Sequence, residues 1–233
     1  MSRGDFTMPR RRFGLYLLGQ AKAFSYLPFQ QEAVCLFLEQ FAAGVFEKGM
    51  IHAPPRMGKS EIATVHFPAW YLGHFPHHSV MVVCSSGALA TGFGRKTRNL
   101  LESPFHAATF PDCKIAWDSR AKDDFTLTKG GRYYAMGLDG QMTGRGAHLL
   151  IVDDPIKSTQ DALSEAAETF RREVFTSAIN TRLEPDGRLL VVMTKWPGEG
   201  FSGWLLEKFG AQEVQKTELA QWRATPPTIG LAA

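Results

Sequence analysis

Apolar and polar positions change rhythm in blocks along the chain. Residues 28–46, PFQQEAVCLFLEQFAAGVF, carry apolar side chains at helical spacing and predict a helix. A short strand-like run at 49–53 follows, then PPRMGKS, then a helical stretch over about 60–73. SVMVVC at 79–84 reads as a buried strand, and SSGALATGFGRKTRNLLES as a loop opening a helix. Residues 112–134 alternate in the manner of strands, with a turn signal at Lys129-Gly130-Gly131. A buried strand over 149–152 runs into Asp153-Asp154-Pro155. A helix is expected over 162–181, a strand over 188–193 and a helix over about 201–209. Residues 1–25 read as irregular or weakly helical, and ATPPTIGLAA at the end as a linker or disordered tail.

Strands therefore alternate with helices, and the strands are continuous apolar runs. That pattern predicts an α/β fold: a mostly parallel central sheet with both faces covered by helices. The expected organisation is an N-terminal arm over 1–25, one domain over 26–222 and a tail over 223–233.

Composition narrows the picture only slightly. With 233 residues, 44% hydrophobic and 21% charged, the chain has the make-up of a globular protein large enough to bury a full core. A net charge of +3 singles out no partner. Cys35, Cys84 and Cys113 form no C-x-x-C pair and read as buried reduced thiols. His74, His77 and His78 surround Pro76 and read as an exposed loop rather than a zinc site. No apolar run is long enough to span a bilayer, and no signal-peptide pattern opens the sequence; the expectation is a protein of the cytoplasm, without membrane contact.

The strongest chemical signal is the segment from Met50 to Ser60. It is a strand, a tight loop, and Gly58-Lys59-Ser60 at the start of a helix. Backbone N–H groups there point at an anion, and the helix dipole favours negative charge. Gly58 lets the backbone come close to phosphate. Lys59 can reach the β- and γ-phosphates and the Ser60 hydroxyl can ligate Mg²⁺, with Pro55, Arg56 and Met57 completing the loop. Ala53 stands where the usual motif has its first glycine.

The strand ending in Asp153-Asp154 supplies the second part. An acid at this place holds Mg²⁺ in nucleotide hydrolases, and a second can activate the attacking water. Asp153 is assigned to the metal and Asp154 to the base. Thr194, closing a neighbouring apolar strand, can sense the γ-phosphate. Arg145, in the glycine-rich QMTGRG, and Arg56 are candidates to neutralise charge in the transition state. Gln30 or Gln31 can pair with the donor and acceptor edge of adenine.

Taken in order, PPRMGKSE, FPAWYLG, GRKTRNLLESP, MTGRGAHLLIVDDPIK, TRLEPDGRLLVVMTKW and SGWLLE closely resemble the ATPase domain of tailed-phage terminase large subunits, over about residues 28–207. The resemblance implies a P-loop fold of the additional-strand (ASCE) type and ATP hydrolysis with Mg²⁺. It implies a ring, usually pentameric, on the portal protein, working with the small terminase subunit to drive double-stranded DNA into a procapsid in the host cytoplasm. It also implies that Thr194 belongs to the motif coupling hydrolysis to movement and that Arg145 acts on a neighbouring subunit. The chain departs from the family at Gln30-Gln31, where relatives carry His-His, and after Trp196, where Pro197-Gly198-Glu199-Gly200 replaces an acidic run. The C-terminal nuclease domain of full-length relatives has no counterpart, so no nuclease activity is expected. A pore could be lined by Arg95, Lys96 and Arg98, or by Arg120 and Lys122. A two-domain helicase and a non-hydrolysing nucleotide-binding module are the competing readings. The first needs a second motor domain; ATP turnover separates the other.

Overall fold

The computed structural model describes residues 11–20, 29–119, 121–140, 144, 146–194 and 200–218; for 29–31 and 218 it describes the backbone. Seven strands form one sheet: β1 (Lys48–His52), β2 (Ser79–Cys84), β3 (Asp124–Thr126), β4 (Arg132–Gly137), β5 (Ala147–Asp153), β6 (Leu183–Met193) and β7 (Val214–Glu218). Their order is β3-β4-β2-β5-β6-β1-β7. Every neighbouring pair is parallel except β3 with β4.

The two faces of the sheet bury separate cores, because side chains alternate along each strand. Ile51, Val80, Val82, Leu149, Ile151 and Leu190 pack on one side. Met50, Met81, Val83, Leu150, Val152 and Val191 pack on the other. This double burial explains why the strands read as unbroken apolar runs.

The first core is covered by α1 (Phe13–Gln20), α2 (Phe29–Ala42), α3 (Phe67–His74), α4 (Gly87–Leu101) and α5 (Pro104–Thr109). Helix α1 falls in the stretch whose sequence reads as irregular or weakly helical. It nevertheless buries Phe13, Tyr16 and Leu17 completely, with Phe13 edge-on to Phe67 at 5.6 Å. Packing of these three side chains outweighs the cost of Gly14 and Gly19 in a short helix.

The second core is covered by α7 (Glu165–Val174), a π-helical turn at Phe175–Ile179, and α8 (Gly200–Phe209). The single helix expected over 162–181 is broken. A short α6 (Thr159–Leu163) ends at Ser164, whose hydroxyl accepts the Ala167 N–H and starts α7 afresh. The alternating stretch at 112–134 resolves into β3 and β4, joined through the Gly130 turn. Strand β7, which the apolar pattern does not mark, lies beside β1 at the sheet edge.

Candidate active site

Strand β6 lies between β1 and β5. The C-terminal ends of these three parallel strands therefore meet at one end of the sheet, where open α/β sheets bind ligands. Strand β1 leads into the phosphate loop, β5 ends in the acidic pair, and β6 ends one residue before Thr194. Backbone bonds tie the three ends together: the Ala53 N–H donates to the Met193 carbonyl at 3.1 Å, and the Asp154 N–H to the Val192 carbonyl at 2.8 Å.

The loop makes its turn with unusual backbone angles. Gly58 has φ 77° and Arg56 has φ 64°. Gly58 takes the left-handed conformation freely, whereas Arg56 adopts it at a cost. Pro55 and Arg56 are exposed, Met57 is half-buried, and Lys59 and Ser60 open the helix. That helix begins as a π-helical turn, Glu61–His66, and continues as α3.

Lys59 is buried and its ammonium is shared. Nζ lies 2.8 Å from Asp154 Oδ2 and donates to Thr194 Oγ1 at 3.1 Å. The other Asp154 oxygen accepts the Thr194 N–H at 3.0 Å. Asp154 reaches this position with φ 43°, a second strained non-glycine backbone at the site. The Ser60 hydroxyl donates to Asp153 Oδ1 at 3.1 Å. The structure thus brings Lys59, Ser60, Asp153, Asp154 and Thr194 together from three separated segments.

The two aspartates differ in a way that separates their chemistry. Asp153 is only 2% exposed, and its Oδ2 is buried without a hydrogen-bond partner. Burial, then the neighbouring Asp154 charge, pushes its carboxyl up to about 7, against the opposing pull of Ser60 and Lys59. Asp154 keeps about a third of its side chain exposed. A buried acid with an unused oxygen beside a serine hydroxyl suits a cation; an open acid beside a lysine suits contact with water.

The donor set fits Mg²⁺. Among the described residues no group of three His, Cys, Asp or Glu side chains could hold a metal ion by itself. Magnesium needs no such cage: one carboxylate, one hydroxyl, phosphate oxygens and water make its octahedron. Thr64, one turn beyond Ser60, escaped the sequence reading. Its hydroxyl is buried without a hydrogen-bond partner and acts on the Asp153 carboxyl. The four-residue spacing from Ser60 on a helix was the available signal.

Several candidates lie elsewhere. Arg145, and Lys195 to Glu199, lie outside the described residues, as do the side chains of Gln30 and Gln31. Of the basic residues considered for a pore, Lys96 pairs with Glu61 at 2.7 Å. Arg98 holds the carbonyls of Ser119 and Ala121 at 2.9 Å each and pairs with Glu102. Arg95 and Lys122 are exposed, and Arg120 lies outside the described residues. All three cysteines are free thiols buried in the fold. His77 is exposed as expected, but His74 and His78 are partly buried: His74 packs on Trp70 and His78 on His148.

A strand inserted between the phosphate-loop strand and the acidic strand, with a polar residue at its tip touching both, defines a P-loop ATPase domain of the ASCE class. Solved structures agree on the fold. The ATPase domain of the Thermus phage P74-26 large terminase is 14% identical, with a TM-score of 0.56 over 84% of this chain and 82% of that one. The HK97 bacteriophage large terminase is 13% identical, with a TM-score of 0.55 over 92% of this chain and 45% of that one. The chain thus spans less than half of that protein. No curated protein sequence matches. Residues 50–221 match the family described as terminase large subunit, T4likevirus-type, N-terminal, and the chain belongs to that family. It is the ATPase domain of a viral DNA-packaging motor.

Proposed function

We propose that this domain binds ATP with Mg²⁺ at the Lys59–Asp153–Asp154–Thr194 site and hydrolyses it to move double-stranded DNA. The contact of Lys59 with both Asp154 and Thr194 carries this reading. It joins the phosphate-binding cation to the acid that would orient water and to the residue that would report phosphate release.

In this reading Gly58 and the helix N-terminus cradle the phosphates and Lys59 swings from Asp154 to the β- and γ-oxygens. Ser60 and Asp153 hold Mg²⁺, which neutralises phosphate charge when bound. Asp154, freed of Lys59, takes up the proton of the attacking water. Arg56 lies on the loop and is exposed, so it can contact the γ-phosphate; Arg145 would complete a neighbouring site. Gln30 or Gln31 would select adenine. Thr194, bonded to both Lys59 and Asp154, would pass the state of the phosphate along β6.

The partners in this reading are a ring of copies, most often five, on the portal, with the small terminase subunit delivering DNA in the host cytoplasm. Arg95 and Lys122, exposed among the described residues, and Arg120 would meet DNA phosphates in contacts that are sequence-independent and salt-sensitive. ATP turnover measured against protein concentration tests the shared site. Turnover rising faster than linearly, and lost in Arg145→Ala, supports it. Linear turnover with Arg145→Ala unaffected removes Arg145 and leaves Arg56 as the arginine in play.

A further inference from the structure

At the opposite end of the sheet, where β2, β5 and β6 begin, a second set of polar side chains is gathered. The length of β5 separates it from the ATP site, roughly 17 Å at strand rise per residue. His78 stacks on His148 with ring centroids 4.3 Å apart and 15° between planes, and His77 packs edge-on to His78 at 4.6 Å. Tyr71 is the hub. Its hydroxyl lies 2.9 Å from His78 Nδ1 and accepts from Arg188 Nη1 at 3.4 Å.

One hydrogen bond places a ring proton. Tyr71 accepts from Arg188 and keeps its own O–H available to His78 Nδ1. The Ser79 N–H donates to His148 Nδ1 at 3.1 Å, so His148 carries its proton on Nε2. Arg188 Nε is buried without a hydrogen-bond partner. Arg188, His78 and His148 thus belong to one basic cluster, and among the described residues no carboxylate pairs with any of them.

The electrostatics agree. Burial, then the basic neighbours His148, His77 and Arg188, lowers the His78 pKa to about 4. Every titratable neighbour acting on that ring is a base. The turn that follows α2 reaches the guanidinium, since a Cβ on Gly44 would lie 2.8 Å from Arg188 Nη2. A helix end supplies only partial negative charge. A half-buried guanidinium with an unused N–H and no acid partner among the described residues is costly unless an anion completes it.

We propose that Arg188, His78 and His148 form a second anion site, which takes a phosphate-class oxyanion, free or on a nucleic-acid backbone, at the end of the sheet away from Lys59. The site would be independent of ATP chemistry and of the reading of Asp153 and Asp154.

The test is NMR titration of the histidine rings in the intact chain, with inorganic phosphate and separately with a short DNA duplex. The His78 midpoint should rise from about 4 by roughly one pH unit as the anion binds, as an opposite charge requires. Arg188→Gln should abolish the rise while ATP hydrolysis is kept; His148→Gln, which leaves the arginine in place, should weaken it and serves if Arg188→Gln does not fold. A response to inorganic phosphate makes a free anion the ligand, and a response to the duplex alone makes backbone phosphate the ligand. No movement of either ring with either probe, or equal movement in both variants, overturns the proposal.

Discussion

Lys59 and Asp154 form a 2.8 Å ion pair across the site, between the phosphate loop and the tip of β5. The lysine that should meet phosphate and the acid that should meet water are thus each other's partner. A polyphosphate competes for Lys59, and its arrival frees Asp154. Binding and the release of the base are one exchange of partners.

Thr194 steadies both members, accepting from Lys59 and donating its N–H to Asp154. Thr194→Val keeps the backbone bond and removes the hydroxyl. ATP affinity should change by less than about threefold, while kcat falls about tenfold, the cost of roughly one hydrogen bond to a charged group. Steady-state kinetics with a separate ATP-binding measurement check this. A variant with wild-type kcat would remove Thr194 from the mechanism.

Arg56 holds φ 64° in the loop, a conformation that costs a non-glycine residue about 1 kcal/mol. Arg56→Gly should therefore raise stability by about that much and lower ATP hydrolysis. Denaturant unfolding and ATP turnover on the same variant measure both. Loss of stability would show that the arginine makes contacts that outweigh its backbone strain.

Acid should loosen the packing of α1. His106 Nδ1 pairs with the Tyr16 hydroxyl at 2.7 Å, and its Nε2 is buried without a hydrogen-bond partner. Burial lowers the His106 pKa from 6.5 to about 4. Below 6.5 the unfolded chain takes up a proton that the folded chain refuses, so stability is full above that value and falls as pH drops towards 4. Tm followed between those limits should decline, and less steeply in His106→Gln. An identical slope in the variant would place the acid sensitivity elsewhere.

The parts of the site carried by local chemistry were readable from the sequence. Gly58-Lys59-Ser60 must follow a strand and open a helix, and Asp153-Asp154 must end one, so those assignments needed only neighbouring residues. The adjacency of Thr194 to Lys59 depended on β6 lying between β1 and β5, and strand order is set by long-range packing that no local pattern records. Lys96 and Arg98 looked free in the sequence because their partners, Glu61 and the 119–121 backbone, sit on other segments. Helix α1 was faint for a similar reason: Phe13, Tyr16 and Leu17 are stabilised by α3 and α5, not by helical propensity. The break at Ser164 was present as a capping serine within an otherwise helical run.

The most direct measurement of the central claim is Mg²⁺-dependent ATP hydrolysis by the wild type and by Asp154→Asn, with ATP binding followed in parallel. The amide keeps the shape of the side chain and its bond to the Thr194 N–H, but it cannot take a proton. Hydrolysis should fall at least about a hundredfold, as expected on losing a general base, while ATP remains bound. Hydrolysis at the wild-type rate in Asp154→Asn would contradict the account.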